Sequence, residues 1–147
     1  MPMWQVYYSE GAYTAEDKQE FAEAITGLYT QFNLPAFYVT ALFHELPADM
    51  FYIGGEQASG YIRIWVDHIA RRIPDDYNRF WMDAVNKMIA PFTAERGPRW
   101  EVHIDNTPME LWTIDGFYPP PADSDEEKRW ARDNRPSLPL EEEEDRS

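Results

Sequence analysis

The second residue of the chain is a proline, and its position suggests two different roles. Residues 3–8 are rich in aromatic and β-branched side chains and precede the turn sequence SEG, which predicts a β-strand. Proline suits the first position of a strand because it has no N–H to donate to a neighbouring strand. Methionine before a small residue is normally removed, and loss of Met1 would give Pro2 a free secondary amine. Since an α-amino group titrates near neutrality and burial lowers its pKa further, Pro2 is also a candidate general base.

The composition indicates a globular chain without cysteine chemistry. The 147 residues are 44% hydrophobic and 16% aromatic, which allows one domain with a substantial core. The absence of cysteine excludes disulfides, thiolate nucleophiles and Cys-ligated zinc. No apolar run is long enough to span a membrane, and no secretory signal pattern opens the chain. We therefore expect a cytoplasmic protein without a membrane partner.

The net charge of −14 restricts the partners that the protein can bind. An acidic protein repels phosphate backbones, so we expect no nucleic-acid partner. A small anionic substrate would need a local basic pocket. Residues 1–121 contain only eight lysines and arginines, which draws attention to the adjacent pair Arg71 and Arg72. His44 and His68 fall in predicted strands with no third ligand at metal spacing, so we expect no metal site.

The pattern after the first strand predicts a helix and then a second strand. Thr14 followed by Asp17 resembles a capping box at a helix start. Residues 37–45 are apolar at both odd and even positions, which predicts a central strand covered on both sides. The predicted helix has an apolar stripe formed by Phe21, Ile25, Leu28 and Phe32.

The same order of elements then repeats. Residues 61–69 and 100–105 predict two further strands. Between them, Pro74 predicts the start of a helix, because proline is favoured at the first helical position. The second helix has an apolar stripe formed by Tyr77, Trp81, Ala84, Val85 and Met88.

The two predicted helices begin 60 residues apart, at Thr14 and Pro74, which indicates two tandem βαβ units. The predicted fold class is therefore α/β, with residues 1–121 forming a four-stranded sheet and both helices on one of its faces. The other face would be apolar and uncovered, and oligomerisation is the simplest way to bury it.

The composition of the sequence becomes highly charged after Pro119-Pro120-Pro121. We assign residues 122–147 to a charged C-terminal arm and an acidic tail. Residues 124–134 predict a short charged helix that contains Trp130 and lies on the body or on a neighbouring subunit. The glutamate-rich residues 141–147 predict a disordered, solvated tail.

The duplicated βαβ pattern behind an amino-terminal proline resembles the tautomerase superfamily. Within it, the chain is most similar to the long-chain members with two fused units, the cis-3-chloroacrylic acid dehalogenase group. The segments LPAFYV, HIAR, ELW and NRP are closest to fungal proteins described as oxalocrotonate tautomerase-like. The resemblance to the dehalogenase group lies in residues 2–8, AEAITGLYT (22–30), FYIGGEQ (51–57), the strand leading to Arg71, and HIDNTPMELWTIDG (103–116).

The resemblance implies roles for particular residues. Pro2 corresponds to the catalytic proline, and Arg71 to the first of two arginines that hold the substrate carboxylate. The second arginine falls near Pro74 and is missing, although the adjacent Arg72 could replace it. Tyr29 stands where the group has a histidine on the first helix, and His103 where it has a tyrosine on the last strand.

The same comparison argues against hydrolytic dehalogenation. The glutamate that activates water in the dehalogenase group falls at Ile114, and Asp115 is its only acidic neighbour. Asp105 and Asp115 could form a pair of acids, but spacing across a turn is weak support for one. His103 alternates with the apolar Val102 and Ile104, so it should point away from the covered side of its strand.

The function that follows from these residues is keto–enol tautomerisation of a small α-keto acid or its enol, without a cofactor. The reaction needs a base, a cation for the carboxylate and a donor to the enolate oxygen, and candidates are Pro2, Arg71 with Arg72, and Tyr29 or His103. A homotrimer is expected. Alternatives are a hydratase, dehalogenase or decarboxylase of a three-carbon acid, and a non-catalytic oligomeric binding protein on the same scaffold.

Overall fold

The computed structural model describes residues 1–69 and 73–139. Alternation of apolar and polar side chains produces the long strands, and apolar residues at three- and four-residue spacing produce the helices. In chain order the elements are β1 (Pro2–Ser9), α1 (Ala15–Thr30), β2 (Thr40–Leu46), β3 (Tyr52–Ile53), β4 (Glu56–Gln57), β5 (Tyr61–Ile69), α2 (Asn78–Ile89), β6 (Arg99–Thr107) and α3 (Asp125–Asp133).

The two predicted βαβ units form one four-stranded sheet, which confirms the predicted fold class. The strand order is β2-β1-β5-β6, and β3 and β4 form a separate two-stranded hairpin. Strands β1 and β2 are parallel, as are β5 and β6, whereas the two units join through antiparallel pairing of β1 with β5. This pairing brings the start of β1 beside the end of β5, which determines where the candidate site lies.

One face of the sheet carries both long helices. The even-numbered side chains of β1 and β5 are buried beneath them, and α1 and α2 contribute their own apolar stripes to the same core. Burying these side chains supplies the main stabilisation of the fold. The core includes Trp4, Val6 and Tyr8 of β1, Ile62, Ile64 and Val66 of β5, Phe21, Ile25 and Leu28 of α1, and Trp81, Val85 and Ile89 of α2.

The first helix begins as predicted and the second does not. Thr14 and Asp17 form a complete capping box at the start of α1. Pro74 precedes a 3₁₀ turn at Asp75–Tyr77, and α2 begins only at Asn78. Tyr77 was predicted to lie in the buried stripe but is 58% exposed, because the turn places it before the helix.

Two expectations about the sheet are wrong. Residues 37–45 do not form a central strand, since Ala36–Tyr38 is a 3₁₀ turn and β2 lies at the edge of the sheet in this chain. The open face is not simply apolar, because it combines aromatic and charged side chains, among them Tyr7, His44, Arg63, Trp65, Asp67 and Glu101.

The predicted arm helix packs against the body of the same chain. Trp130 of α3 is buried, with its ring close to those of Phe37 and Tyr38. Just beyond α3, the side-chain oxygen of Asn134 accepts a hydrogen bond from the backbone N–H of Phe37 at 3.1 Å. The glutamate-rich residues 141–147 lie outside the described part of the chain. Among the described helices, none is both long and apolar enough to cross a membrane.

Candidate active site

Pro2 lies at the edge of the core, opposite His68. It is the first residue of β1, its side chain is buried, and it pairs in register with His68 of the antiparallel strand β5. Directly opposed residues on one face of an antiparallel pair have their Cβ atoms roughly 5 Å apart. The Met1 carbonyl accepts a hydrogen bond from the Ile69 N–H at 2.8 Å, and the Met1 amine donates to the Ile69 carbonyl. Removal of Met1 would therefore place a free amine opposite a buried histidine.

A small cavity of about 180 Å³ opens beside Pro2. Most of its wall is apolar, and the polar groups among its described side chains are the Tyr29 hydroxyl, the His68 imidazole and the Trp81 indole N–H. Ile69 and Ile73 both lie in the wall, and in the sequence they stand on either side of residues 70–72. The described lining consists of Met1, Pro2, Tyr29, Phe32, Leu34, His68, Ile69, Ile73 and Trp81.

Three buried side chains from three elements form a hydrogen-bonded row beside Pro2. The indole N–H of Trp4 donates to the Tyr29 hydroxyl oxygen at 2.9 Å. The same oxygen lies 2.7 Å from Nε2 of His68. The sequence builds this row because Trp4 and His68 occupy inward-facing strand positions, while Tyr29 lies in the last turn of α1.

Burial controls the protonation of two members of this row. Burial, together with a smaller contribution from the positive amino-terminus, lowers the pKa of His68 to about 4. Burial also raises the pKa of Tyr29 well above its usual value, against a smaller opposing effect of the Trp4 hydrogen bond. Near neutral pH the imidazole is therefore uncharged and the phenol keeps its proton, so Tyr29 is suited to donate a hydrogen bond rather than to act as a base.

His103 lies elsewhere in the chain. Val102 and Ile104 pack against the core, and His103 points to the open face of the sheet, as the alternation predicted. There it contacts the Arg63 guanidinium, and its Nε2 lies 3.5 Å from a carboxylate oxygen of Asp105. Within one chain, the sheet separates His103 from Pro2.

The structure brings together some of the predicted site residues and leaves others apart. Pro2 and Tyr29 line the same cavity, while Arg71 and Arg72 lie outside the described residues. The carboxylate of Asp105 lies on the open face, where it accepts a hydrogen bond from the Trp65 indole at 2.8 Å. In residues 1–69 and 73–139, no three His, Cys, Asp or Glu side chains are placed to hold a metal ion.

His68 and Trp81 are members of the site that the sequence analysis did not identify. His68 was considered only as a metal ligand, and Trp81 only as a core residue. A signal for His68 was present, because it continues the buried parity of Ile62, Ile64 and Val66 along β5. A histidine at a buried strand position needs a polar partner, and Tyr29 meets that need.

Comparison with protein families identifies the group to which this arrangement belongs. Residues 1–135 match the Tautomerase_3 family, described as "Putative oxalocrotonate tautomerase enzyme". The chain belongs to the tautomerase superfamily. That assignment confirms the resemblance seen in the sequence and agrees with the βαβ architecture.

Solved structures of related proteins support the same assignment. RhCC from Rhodococcus jostii RHA1 is 43% identical with a TM-score of 0.89, over 92% of this chain and 99% of that one. A structure described as a probable enzyme from the thermophilic fungus Aspergillus fumigatus is 37% identical with a TM-score of 0.88, over 94% and 97% of the two chains.

The chain also has the same fold as a more distantly related structure. N1, described as a member of the cis-3-chloroacrylic acid dehalogenase family, is 20% identical with a TM-score of 0.71, over 97% of this chain and 96% of that one. A search among curated proteins finds no match to this sequence.

Proposed function

We propose that the protein is a cofactor-independent keto–enol tautomerase acting on a small α-keto acid or its enol, with the Pro2 amine as general base. The observation that carries this proposal is the position of Pro2 in the wall of a small, mostly apolar cavity that also contains Tyr29. Membership of the tautomerase superfamily supports the same class of chemistry.

The surroundings of Pro2 favour a neutral amine. An α-amino group has an ordinary pKa of roughly 7.7–8.0, and an apolar environment lowers that pKa by disfavouring the charged form. Once Met1 is removed, the amine would border the apolar lining of the cavity. A base with a pKa near or below neutral is well matched to proton transfer at physiological pH.

Tyr29 is the proposed donor to the enolate oxygen. Its hydroxyl lies in the cavity wall, is buried, and stays protonated because burial raises its pKa. A donor held in a desolvated site stabilises developing negative charge more strongly than one in water. The position of His103 on the other face gives it no such role within the same chain.

These groups are sufficient for a balanced proton transfer. In the enol-to-keto direction, the Pro2 nitrogen takes the hydroxyl proton of the enol, and the oxygen forms the carbonyl double bond. The electron pair of the carbon–carbon double bond then takes a proton from the Pro2 ammonium. The amine returns to its neutral form, and no other reactant is consumed.

Arg71 or Arg72 is the proposed anchor for the substrate carboxylate. The guanidinium group of arginine binds a carboxylate through two parallel hydrogen bonds. The cavity-lining residues Ile69 and Ile73 flank these arginines closely in the sequence. A local cation is also needed because the net charge of −14 repels an anionic substrate.

The cavity dimensions favour a compact substrate with an apolar part. Apolar cavities of about 150 Å³ accept benzene, and this one measures about 180 Å³ with Met1 in place. An arylpyruvate enol therefore combines a ring that the cavity can hold with a carboxylate for arginine. Hydration or dehalogenation is less well supported, because the described part of the lining contains no carboxylate to activate water.

The proposal is tested by following ketonisation of an arylpyruvate enol by its ultraviolet absorbance. We expect kcat/KM to increase with pH as the amine loses its proton, and Pro2→Ala to retain a reduced rate because alanine still offers an amine. A rate that is independent of pH across the titration of the amine, with Pro2→Ala as active as wild type, would exclude Pro2 as the base.

A further inference from the structure

The hydroxyl of Tyr29 is shared between two nitrogen atoms, and this limits what it can offer to a substrate. A phenol has one proton to donate and two lone pairs to accept with. The Trp4 indole is only a donor, so its 2.9 Å hydrogen bond uses one lone pair of the Tyr29 oxygen. The contact of 2.7 Å with His68 Nε2 then uses either the second lone pair or the proton.

The tautomer of His68 decides between these two arrangements. If the ring proton is on Nδ1, Nε2 is an acceptor and the Tyr29 proton is committed to it. If the ring proton is on Nε2, this nitrogen donates to Tyr29, whose oxygen then accepts twice and whose proton remains available. Only the second arrangement leaves the Tyr29 O–H directed to a ligand in the cavity.

We infer that His68 carries its proton on Nε2 and acts as a positioning residue, which turns the Tyr29 hydroxyl toward the substrate oxygen. This inference rests on the proposed function, because it is the enolate oxygen that requires the donor. Trp4 and His68 together occupy both lone pairs of the phenol. The phenol can then donate to a developing oxyanion without first breaking a hydrogen bond.

The packing around His68 favours a fixed, uncharged ring. Tyr29 meets it nearly edge-on with an interplanar angle of 89°, and Trp81 lies against it with ring centroids 5.7 Å apart. Among the described residues, the groups beside the ring are Pro2 from β1, Tyr29 from α1, Trp81 from α2 and the amino-terminal amine. None of these is an anion that would stabilise an imidazolium. A proton on the Pro2 amine would repel a second one on His68.

The tautomer can be read directly from the ¹⁵N spectrum of the protein labelled in its histidines. The sequence has three histidines, so comparison with His68→Gln assigns the signals of His68. We expect a protonated, pyrrole-type Nε2 in the wild-type protein at neutral pH. An unprotonated, pyridine-type Nε2 would overturn the inference, because Tyr29 would then be the donor to His68.

A double-mutant cycle tests the consequence for catalysis. We expect His68→Leu to lower kcat/KM about tenfold, as the loss of one net hydrogen bond does. The same change in a Tyr29→Phe background should have almost no further effect, since there is no hydroxyl to position. His68→Gln should recover most of the loss because its amide can still donate. An equal effect of His68→Leu in both backgrounds would mean that His68 contributes packing and does not position the Tyr29 hydroxyl.

The two experiments separate this inference from the proposed function. If Tyr29→Phe is as active as wild type, Tyr29 is not the enolate donor and that part of the proposed function fails. The ¹⁵N spectrum is recorded without substrate, so it still decides which atom carries the proton between His68 and Tyr29.

Discussion

Replacement of His68 should reduce the amount by which the free energy of unfolding falls as the pH is lowered from 7.5 to 5. The pKa of this histidine is about 4 in the folded chain, against about 6.5 for an exposed histidine. Between these two values the unfolded chain binds a proton that the folded chain excludes. The stability that comes from this difference is fully present above pH 6.5 and is lost progressively as the pH falls toward 4.

The magnitude follows from the two pKa values. At pH 5 the unfolded histidine is almost fully protonated and the folded one is almost fully neutral, which destabilises the protein by about 2 kcal/mol relative to neutral pH. His68→Gln removes the titrating group. Between pH 7.5 and pH 5, the free energy of unfolding of wild type should therefore fall by about 2 kcal/mol more than that of His68→Gln.

Urea unfolding at these two pH values measures the difference, with the protein concentration held constant so that any assembly would contribute equally to each measurement. Both values lie above the isoelectric point of about 4.4. Tyr29→Phe is the matched control, since it alters the same cavity but keeps the imidazole, and its pH dependence should follow wild type. Equal losses for wild type and His68→Gln would show that His68 does not resist protonation and would refute the electrostatic argument for the site.

Three further predictions concern the substrate anchor, the arm and the assembly. Arg71→Ala should lower kcat/KM by about 10²-fold for acids but not for their esters, because a hydrogen bond to a charged group contributes roughly 1.5–3 kcal/mol. Equal effects on acids and esters would mean that Arg71 does not bind the carboxylate. Arg72→Ala is measured beside it as the matched variant. Trp130→Ala should lower the free energy of unfolding by about 3–5 kcal/mol, as truncation of a buried tryptophan does, and a loss below 1 kcal/mol in urea would mean that α3 does not stabilise the body. Light scattering should give three times the chain mass, because the exposed aromatic side chains of the open face, including Trp65, favour burial between subunits; a stable monomer at micromolar concentration would contradict the homotrimer.

Local patterns in the sequence predicted the elements that depend on local chemistry. Strand β5 has the predicted bounds, because its alternation is uninterrupted from Tyr61 to Ile69. Helix α1 begins after Thr14, because the capping box satisfies backbone N–H groups that a helix start leaves free. The βαβ repeat predicted the parallel pairing of strands within each unit, since a parallel pair needs a crossover and a helix is its usual form.

The remaining features depend on contacts between distant parts of the chain. Residues 37–45 were assigned to a central strand because they are apolar on both sides, but strand order is set by pairing partners that the local pattern does not identify. His68 was missed for the same reason, since its role depends on the antiparallel pairing with Pro2 and on the position of Tyr29. The open face is not apolar as predicted, because the odd-numbered positions of β5 and β6 carry charged and aromatic side chains, among them Arg63, Asp67 and Glu101.

The proposed role of the Pro2 amine as general base is tested by changing the state of the amino-terminus. Two forms of the protein are prepared by cleaving an amino-terminal tag, one beginning at Pro2 and the other retaining Met1, and intact-mass spectrometry verifies each. The fold accommodates Met1, whose carbonyl accepts a hydrogen bond from the Ile69 N–H. We therefore expect both forms to be folded and to unfold at similar temperatures. We expect the form that begins at Pro2 to ketonise an arylpyruvate enol, and the form with Met1 to be slower by about 10²-fold or more, since general-base catalysis contributes roughly 10²–10⁴-fold. Equal rates in the two forms would mean that Pro2 is only the first residue of a strand.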